Sequence, residues 1–251
     1  GGGNTGTGAH TVREAGRNVP ATPLVLVGDG FAVPTQAGNI RALFHNANIN
    51  ATLGQGQLLI GTRKAIYAQD VPVTRSEWIA ADATNQPKQT VVQLVNGPVN
   101  DRSVVRMNGD VFYQTLEPAV ASLATCIRDF SQWGNRGISG NMMRVLSYND
   151  RALLWAGSGI VFDNRIIETA LPKTLTQGVV HQALMALDFI PINEFNATLS
   201  PCWEGIHSGL QVLQLFAGDF GGLERAFALV VSAQEKTYGQ IELWEITNSD
   251  K

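Results

Sequence analysis

Cysteine is scarce in this chain, with only Cys126 and Cys202 among 251 residues. So few thiols exclude a small disulfide-stapled scaffold, and both are expected to be free and buried. Charge is scarce as well: charged residues make up 16% of the sequence, and 18 basic against 21 acidic residues leave a net charge of −3. No basic run is present, so binding to nucleic acid or an anionic membrane by bulk electrostatics finds no support. No apolar stretch approaches the ~18 residues of a membrane-spanning helix, and no secretory leader is read. The first residue is Gly1 and not methionine, as expected of a processed product or part of a longer protein.

Glycine, in contrast, is abundant (26 residues), and hydrophobic residues make up 44%. Five times a short apolar run meets a glycine and a second apolar run follows. The marker glycines are Gly28, Gly61, Gly109, Gly157 and Gly218, with spacings of 33, 48, 48 and 61 residues. The runs before them are Leu24–Val27, Leu58–Ile60, Val104–Met107, Leu153–Ala156 and Leu213–Ala217. Those after them begin at Phe31, Ala65, Val111, Ile160 and Ala226. A strand-turn-strand unit recurring at this interval is the pattern of propeller blades. The expectation is an all-β, propeller-like fold of four-stranded blades at roughly 48-residue spacing, with minor helical insertions; about five blades fit the length.

Residues 1–20 are rich in Gly, Thr and Asn and read as a flexible arm or loop, leaving 21–251 as the propeller domain. Gly1 to Gly6 matches G-x-G-x-x-G literally, but neither the preceding strand nor the following helix of a dinucleotide site is present. Gly28-Asp29-Gly30 and Asn108-Gly109-Asp110 each lie between apolar runs and predict tight hairpins. Gln89–Val95 reads as a strand. Arg225–Ser232 and Gln240–Ile246 read as two long strands joined by a polar turn through Lys236–Gly239. Runs such as Leu24–Val27 and Ala228–Val231 are continuous and not alternating, as in strands buried on both faces. Pro118–Phe130 and Ser139–Leu154 have helix-like spacing and are either short helices or irregular blade segments.

A search for chemistry finds no constellation. His10, His45, His181 and His207 have no partner at metal-ligand spacing and read as surface or core histidines. Gly205-Ile206-His207-Ser208-Gly209 lacks the central serine of a nucleophile elbow and is expected to be a turn before a strand over Val212–Phe216. Asp29, Asp70, Asp101, Asp110, Asp129, Asp163, Asp188 and Asp219 are scattered, several beside hairpin glycines where Asp favours turns. That reading is preferred to a ring of aspartates binding a cation or sugar. Asp163-Asn164-Arg165 is expected as an exposed turn, with Arg165 a candidate subunit contact. Trp78, Trp133, Trp155, Trp203 and Trp244 read as core or inter-blade packing. The sequons at Asn50 and Asn196 carry little weight without a secretion signal. No catalytic, cofactor-binding or metal residue is assigned.

Several segments together resemble a known group. They are Arg102–Tyr113; Arg128-Asp129-Phe130 with Trp133-Gly134-Asn135 and Ile138-Ser139; Val161–Ile167; Trp203-Glu204-Gly205 with Leu213-Gln214-Leu215; and Glu224–Leu229 with Glu242–Ile246. These resemble virion structural proteins of tailed bacteriophages, of the tail nozzle or hub type found in short-tailed phages, over roughly Leu58 to Ile246. The resemblance implies a β-propeller subunit in a homo-oligomeric ring, commonly a hexamer, below a tail adaptor and beside fibre proteins. Genomic DNA would pass through its lumen without sequence-specific binding. It also implies a virion location after assembly in the host cytoplasm. Family members are usually longer, with platform segments that are not read here.

The resulting expectation is a non-enzymatic tail component that extends the DNA channel and helps retain and deliver DNA. A propeller module recognising a carbohydrate or protein receptor is the alternative, and a propeller hydrolase comes third. No cofactor is expected.

Overall fold

The computed structural model describes residues 2–5, 9–13, 30–45, 57–70, 76, 89–94, 96–117, 119–124, 138–189, 201–234 and 237–246. The chain is mostly β-structure, and every strand pairing is antiparallel. It divides into two compact units, Gly1–Pro98 and Val99–Lys251. Residues 21–251, expected as one domain, span both units. Leu24–Val27, Asp29, Asn50, Trp78, Cys126, Asp129, Trp133 and Asn196 lie outside the described residues.

In the first unit, β1 (Gly2–Thr5), β2 (Ala9–Arg13) and β3 (Gly30–Val33) form a three-stranded sheet. The segment expected to be an arm therefore contributes two strands. A second sheet is the meander of β4 (Ile40–His45), β5 (Leu58–Thr62), β6 (Ala65–Gln69) and β7 (Gln89–Leu94). Gly61 lies inside β5 and not at its turn. The reversal falls two residues later, where Thr62 Oγ1 accepts from Ala65 N at 3.1 Å and donates to Ala65 O at 3.0 Å. Val33, Ala37, Ile60, Ala65 and Tyr67 form the buried core.

The second unit opens with β8 (Val104–Met107), β9 (Asp110–Thr115) and β10 (Ala119–Ser122). Asn108 (φ 51°) and Gly109 (φ 75°) turn β8 into β9. Positive φ at both central residues is the hairpin geometry that Asn-Gly supplies at low cost. Val120, in a stretch read as either a short helix or an irregular blade segment, sits in β10 and is buried. The Ser139–Leu154 stretch yields two 3₁₀ turns (Gly140–Met142 and Leu154–Ala156) and the four-residue helix α1 (Met143–Leu146). The apolar run before Gly157 is consequently a 3₁₀ turn, not a strand.

The rest is one six-stranded meander curled into a half-barrel. Its strands are β11 (Gly159–Phe162), β12 (Arg165–Leu175), β13 (Gly178–Asp188), β14 (Cys202–Asp219), β15 (Glu224–Val231) and β16 (Ile241–Ile246). β14 is 18 residues long: it pairs with β13 from Cys202 to Val212 and with β15 from Val212 to Asp219. The Gly205–Gly209 stretch is strand, not the expected turn. Gly205 (φ 128°) and Gly209 (φ 97°) give it a backbone that other residues rarely adopt, beside register shifts against β13. Gly218 is likewise inside β14, and the turn follows at Gly221 and Gly222.

Both faces of this sheet carry core. Ile160, Ile167, Leu184, Val212, Leu215 and Ala228 cluster on one. On the other, Ile166 and Leu187 meet Val105, Met107 and Phe112, while Ala170, Ala183 and Met185 meet Val120, Met142 and Leu146. Double-sided burial accounts for the continuous apolar runs. The sheets hold three, four, three and six strands. All-β structure is present, and a repeating four-stranded blade is not shown.

Candidate functional site

The alternation of β8 leaves Arg106 exposed between buried Val105 and Met107. With Asp101 and Arg102, which precede β8, it forms one wall of a groove of about 680 Å³. Gly159–Val161 of β11 and Gln214–Asp219 of β14 supply the other walls, and Glu224 stands at its end. Two arginines and three carboxylates make the groove polar at its rim over a floor that includes Val105, Ile160 and Leu215.

Buried hydrogen bonds fix the walls. Asn100 Nδ2 donates to Trp155 O at 2.6 Å and Gly157 O at 2.8 Å, and its Oδ1 accepts from Ser103 N at 2.7 Å. Ser158 Oγ accepts from Leu215 N at 3.0 Å, and Thr169 Oγ1 accepts from Ser158 N at 2.9 Å. Loop, β11, β12 and β14 are thereby tied together, since buried polar groups cost free energy unless paired.

Two ionisable groups lie deeper. Glu168 on β12 is fully buried, and neither carboxyl oxygen has a hydrogen-bond partner. Burial pushes its pKa up to about 8. Gln114 of β9 offsets this in part, but its amide donates to Thr169 O at 2.8 Å. At neutral pH the side chain is mainly a neutral acid, the form that tolerates an apolar surround. His181 on β13 is also buried; its Nδ1 is 3.3 Å from Val212 O and its Nε2 has no partner. Burial lowers its pKa to about 4, the Val212 bond opposes that shift, and Arg102 adds to it. Glu168 pairs in register with Met185 and His181 with Pro172, so they are not a couple.

Among the described aspartates, three sit at turns, caps or a strand end. Asp219 Oδ1 accepts from Gly222 N at 2.7 Å, Asp110 caps Val111 and Ala124 and bonds Ser122, and Asp70 accepts from Gln57 at 2.6 Å. Among the described residues no group of three or more His, Cys, Asp or Glu could hold a metal ion. Asp163 and Asn164 form the expected turn, at φ 50° and 58°. Arg165 is partly exposed, with Nη1 on Asp163 Oδ2 at 3.0 Å and Nε on Glu204 Oε1 at 2.7 Å.

Cys202 is a free thiol but exposed, because it opens β14 at the surface. Trp203 Nε1 donates to Ile138 O at 3.2 Å and packs at the core margin, whereas Trp155 and Trp244 are exposed. His45 and His207 are exposed, and His10 lies in β2. Glu168 is the residue that sequence reasoning passed over. Its signal was position: Ile166, Glu168 and Ala170 share one face of a strand with apolar neighbours on both sides.

No protein-family model matches this sequence, and no curated protein matches it.

Proposed function

We propose that the chain is a structural subunit of a bacteriophage tail, of the nozzle or hub type, acting through assembly and not catalysis. The observation that supports this most is the number of separate apolar surfaces on the second unit. Phe220 and Leu223 are exposed at the β14–β15 turn, Tyr148 and Trp155 beside the helical turns, and Ile241, Leu243 and Trp244 on β16. A head-to-tail ring needs two different surfaces per subunit that are complementary to each other, and contacts to adaptor and fibre proteins need more. In this reading the sheets belong to a propeller-like body around a DNA channel in the virion. The net charge of −3 suits a lumen that conducts DNA without gripping it.

The groove between Arg102, Arg106 and Asp219 favours a second reading, a module that binds a carbohydrate or protein receptor. Native mass by light scattering, with negative-stain imaging, separates the two. Rings with a central hole, well above 27.0 kDa, are expected for the tail subunit. A monomer that binds glycans in an array screen would replace that reading with the second.

A further inference from the structure

β16 closes the order of the six-stranded sheet, and among the described residues no strand pairs with its outer edge. Free edges in natural sheets are usually blunted by lysine, proline or a bulge. β16 contains neither residue, and its ladder to β15 runs without a register shift from Ile241 to Ile246. Its side chains stand in solvent: Ile241 is 58% exposed, Leu243 57% and Trp244 40%.

The charges on this strand restrict what fits it. Its only ionisable residues are Glu242 and Glu245. Two copies related by a two-fold axis must set one residue against itself, and four interior residues could take that place. Centring on Glu242 or Glu245 opposes two carboxylates directly, which is unfavourable. Centring on Trp244 sets Glu242 against Ile246 and Glu245 against Leu243, so both carboxylates face hydrocarbon. Centring on Leu243 sets Leu243 on Leu243, Ile241 on Glu245, and Glu242 on Trp244. Glu242 already accepts from the indole of its own Trp244 at 2.8 Å, so the two groups lie on one face and match chemically.

We propose that β16 pairs antiparallel with β16 of a second copy of this chain, in register about Leu243, giving one continuous sheet across the pair. The backbone groups of the edge then gain partners, and the exposed leucines cover one another. This contact closes on itself at two copies, so it is independent of the head-to-tail contact that a ring requires.

The test uses the full chain. Light scattering of the parent is expected to give twice 27.0 kDa or a multiple built from pairs. Leu243→Lys, at an already exposed site, is expected to halve that mass with an unchanged circular dichroism spectrum. In a Cys202→Ser background, Leu243→Cys is expected to form a covalent dimer under mild oxidation, while Tyr238→Cys, exposed in the preceding turn, is not. A monomer at every concentration, a mass that Leu243→Lys leaves unchanged, or equal cross-linking at both positions would overturn the pairing. Rings of half the parent mass in Leu243→Lys would support both ideas, and rings of unchanged mass would overturn the pairing while supporting the tail reading, so the two ideas fail separately.

Discussion

Arg165 reaches over β13 to Glu204: its Nε donates to the carboxylate at 2.7 Å, joining the start of β12 to the start of β14. The same guanidinium holds Asp163 through Nη1 at 3.0 Å, so one side chain ties a turn to a strand two places away. Both ion pairs are partly open to solvent, which reduces their worth. Arg165→Ala is expected to lower stability by about 1 kcal/mol. Urea unfolding would register this as a lower midpoint at constant slope, and the gap from the parent should narrow as salt is raised.

Glu168 makes a larger, pH-dependent contribution. Its folded pKa of about 8 stands above the ordinary 4.5, so the folded state holds a proton that the unfolded chain releases. Stability from this group is full below about pH 4.5 and falls as pH rises to about 8, by at most about 1.4 kcal/mol per pH unit. Glu168→Gln keeps the shape without the proton. It is expected to be more stable than the parent at about pH 9, with the difference shrinking on acidification. Melting temperatures measured across pH would decide it, and identical profiles for the two proteins would be the contrary result.

His181 acts in the opposite sense. Its folded pKa of about 4 lies below 6.5, so the unfolded chain takes up the proton first. Stability from the neutral imidazole is full above about pH 6.5 and is lost as pH falls to about 4. Between about pH 4.5 and 6.5 the two slopes offset each other. His181→Phe is expected to flatten the acid limb and leave the alkaline limb to Glu168. Unfolding curves for each single variant and the double variant would test this separation.

Gly97 tests the first unit. A Cβ at this position would lie 1.8 Å from Thr62 O, a backbone atom at the end of β5 beside the β5–β6 turn. Gly97→Ala is expected to cost about 3 kcal/mol and to raise hydrogen exchange in β5 and β6. Gly109→Ala is a useful contrast, since its Cβ meets nothing within 4 Å and only the φ of +75° is strained. About 1 kcal/mol is expected there.

These positions also mark what could be read from the sequence. Asn108-Gly109 announced its hairpin because the turn chemistry is local and complete in two residues. Gly61 and Gly218 carry the same residue type inside strands, where neighbouring side chains, and not the glycine, decide where the chain reverses. Gly205 and Gly209 read as turn punctuation, yet β13 accommodates them through shifted register over a long strand. The run Leu153–Ala156 is apolar enough for a strand, but Asn100 captures the carbonyls of Trp155 and Gly157 in another conformation. That capture depends on a residue far away in sequence. The groove was hidden for the same reason, since its walls come from β8, β11 and β14. Burial of Glu168 depended on β9 covering β12, which no window of sequence contains.

The meander has a consequence in time. Each strand from β11 to β16 pairs with the next one in sequence, so none waits for a strand made much later. During synthesis the sheet can be laid down in the order in which the ribosome delivers it. Among the described residues β16 has no partner on its outer edge, and it emerges after the other five strands of this sheet. The sticky border is therefore absent from the nascent sheet until the five strands behind it have been made.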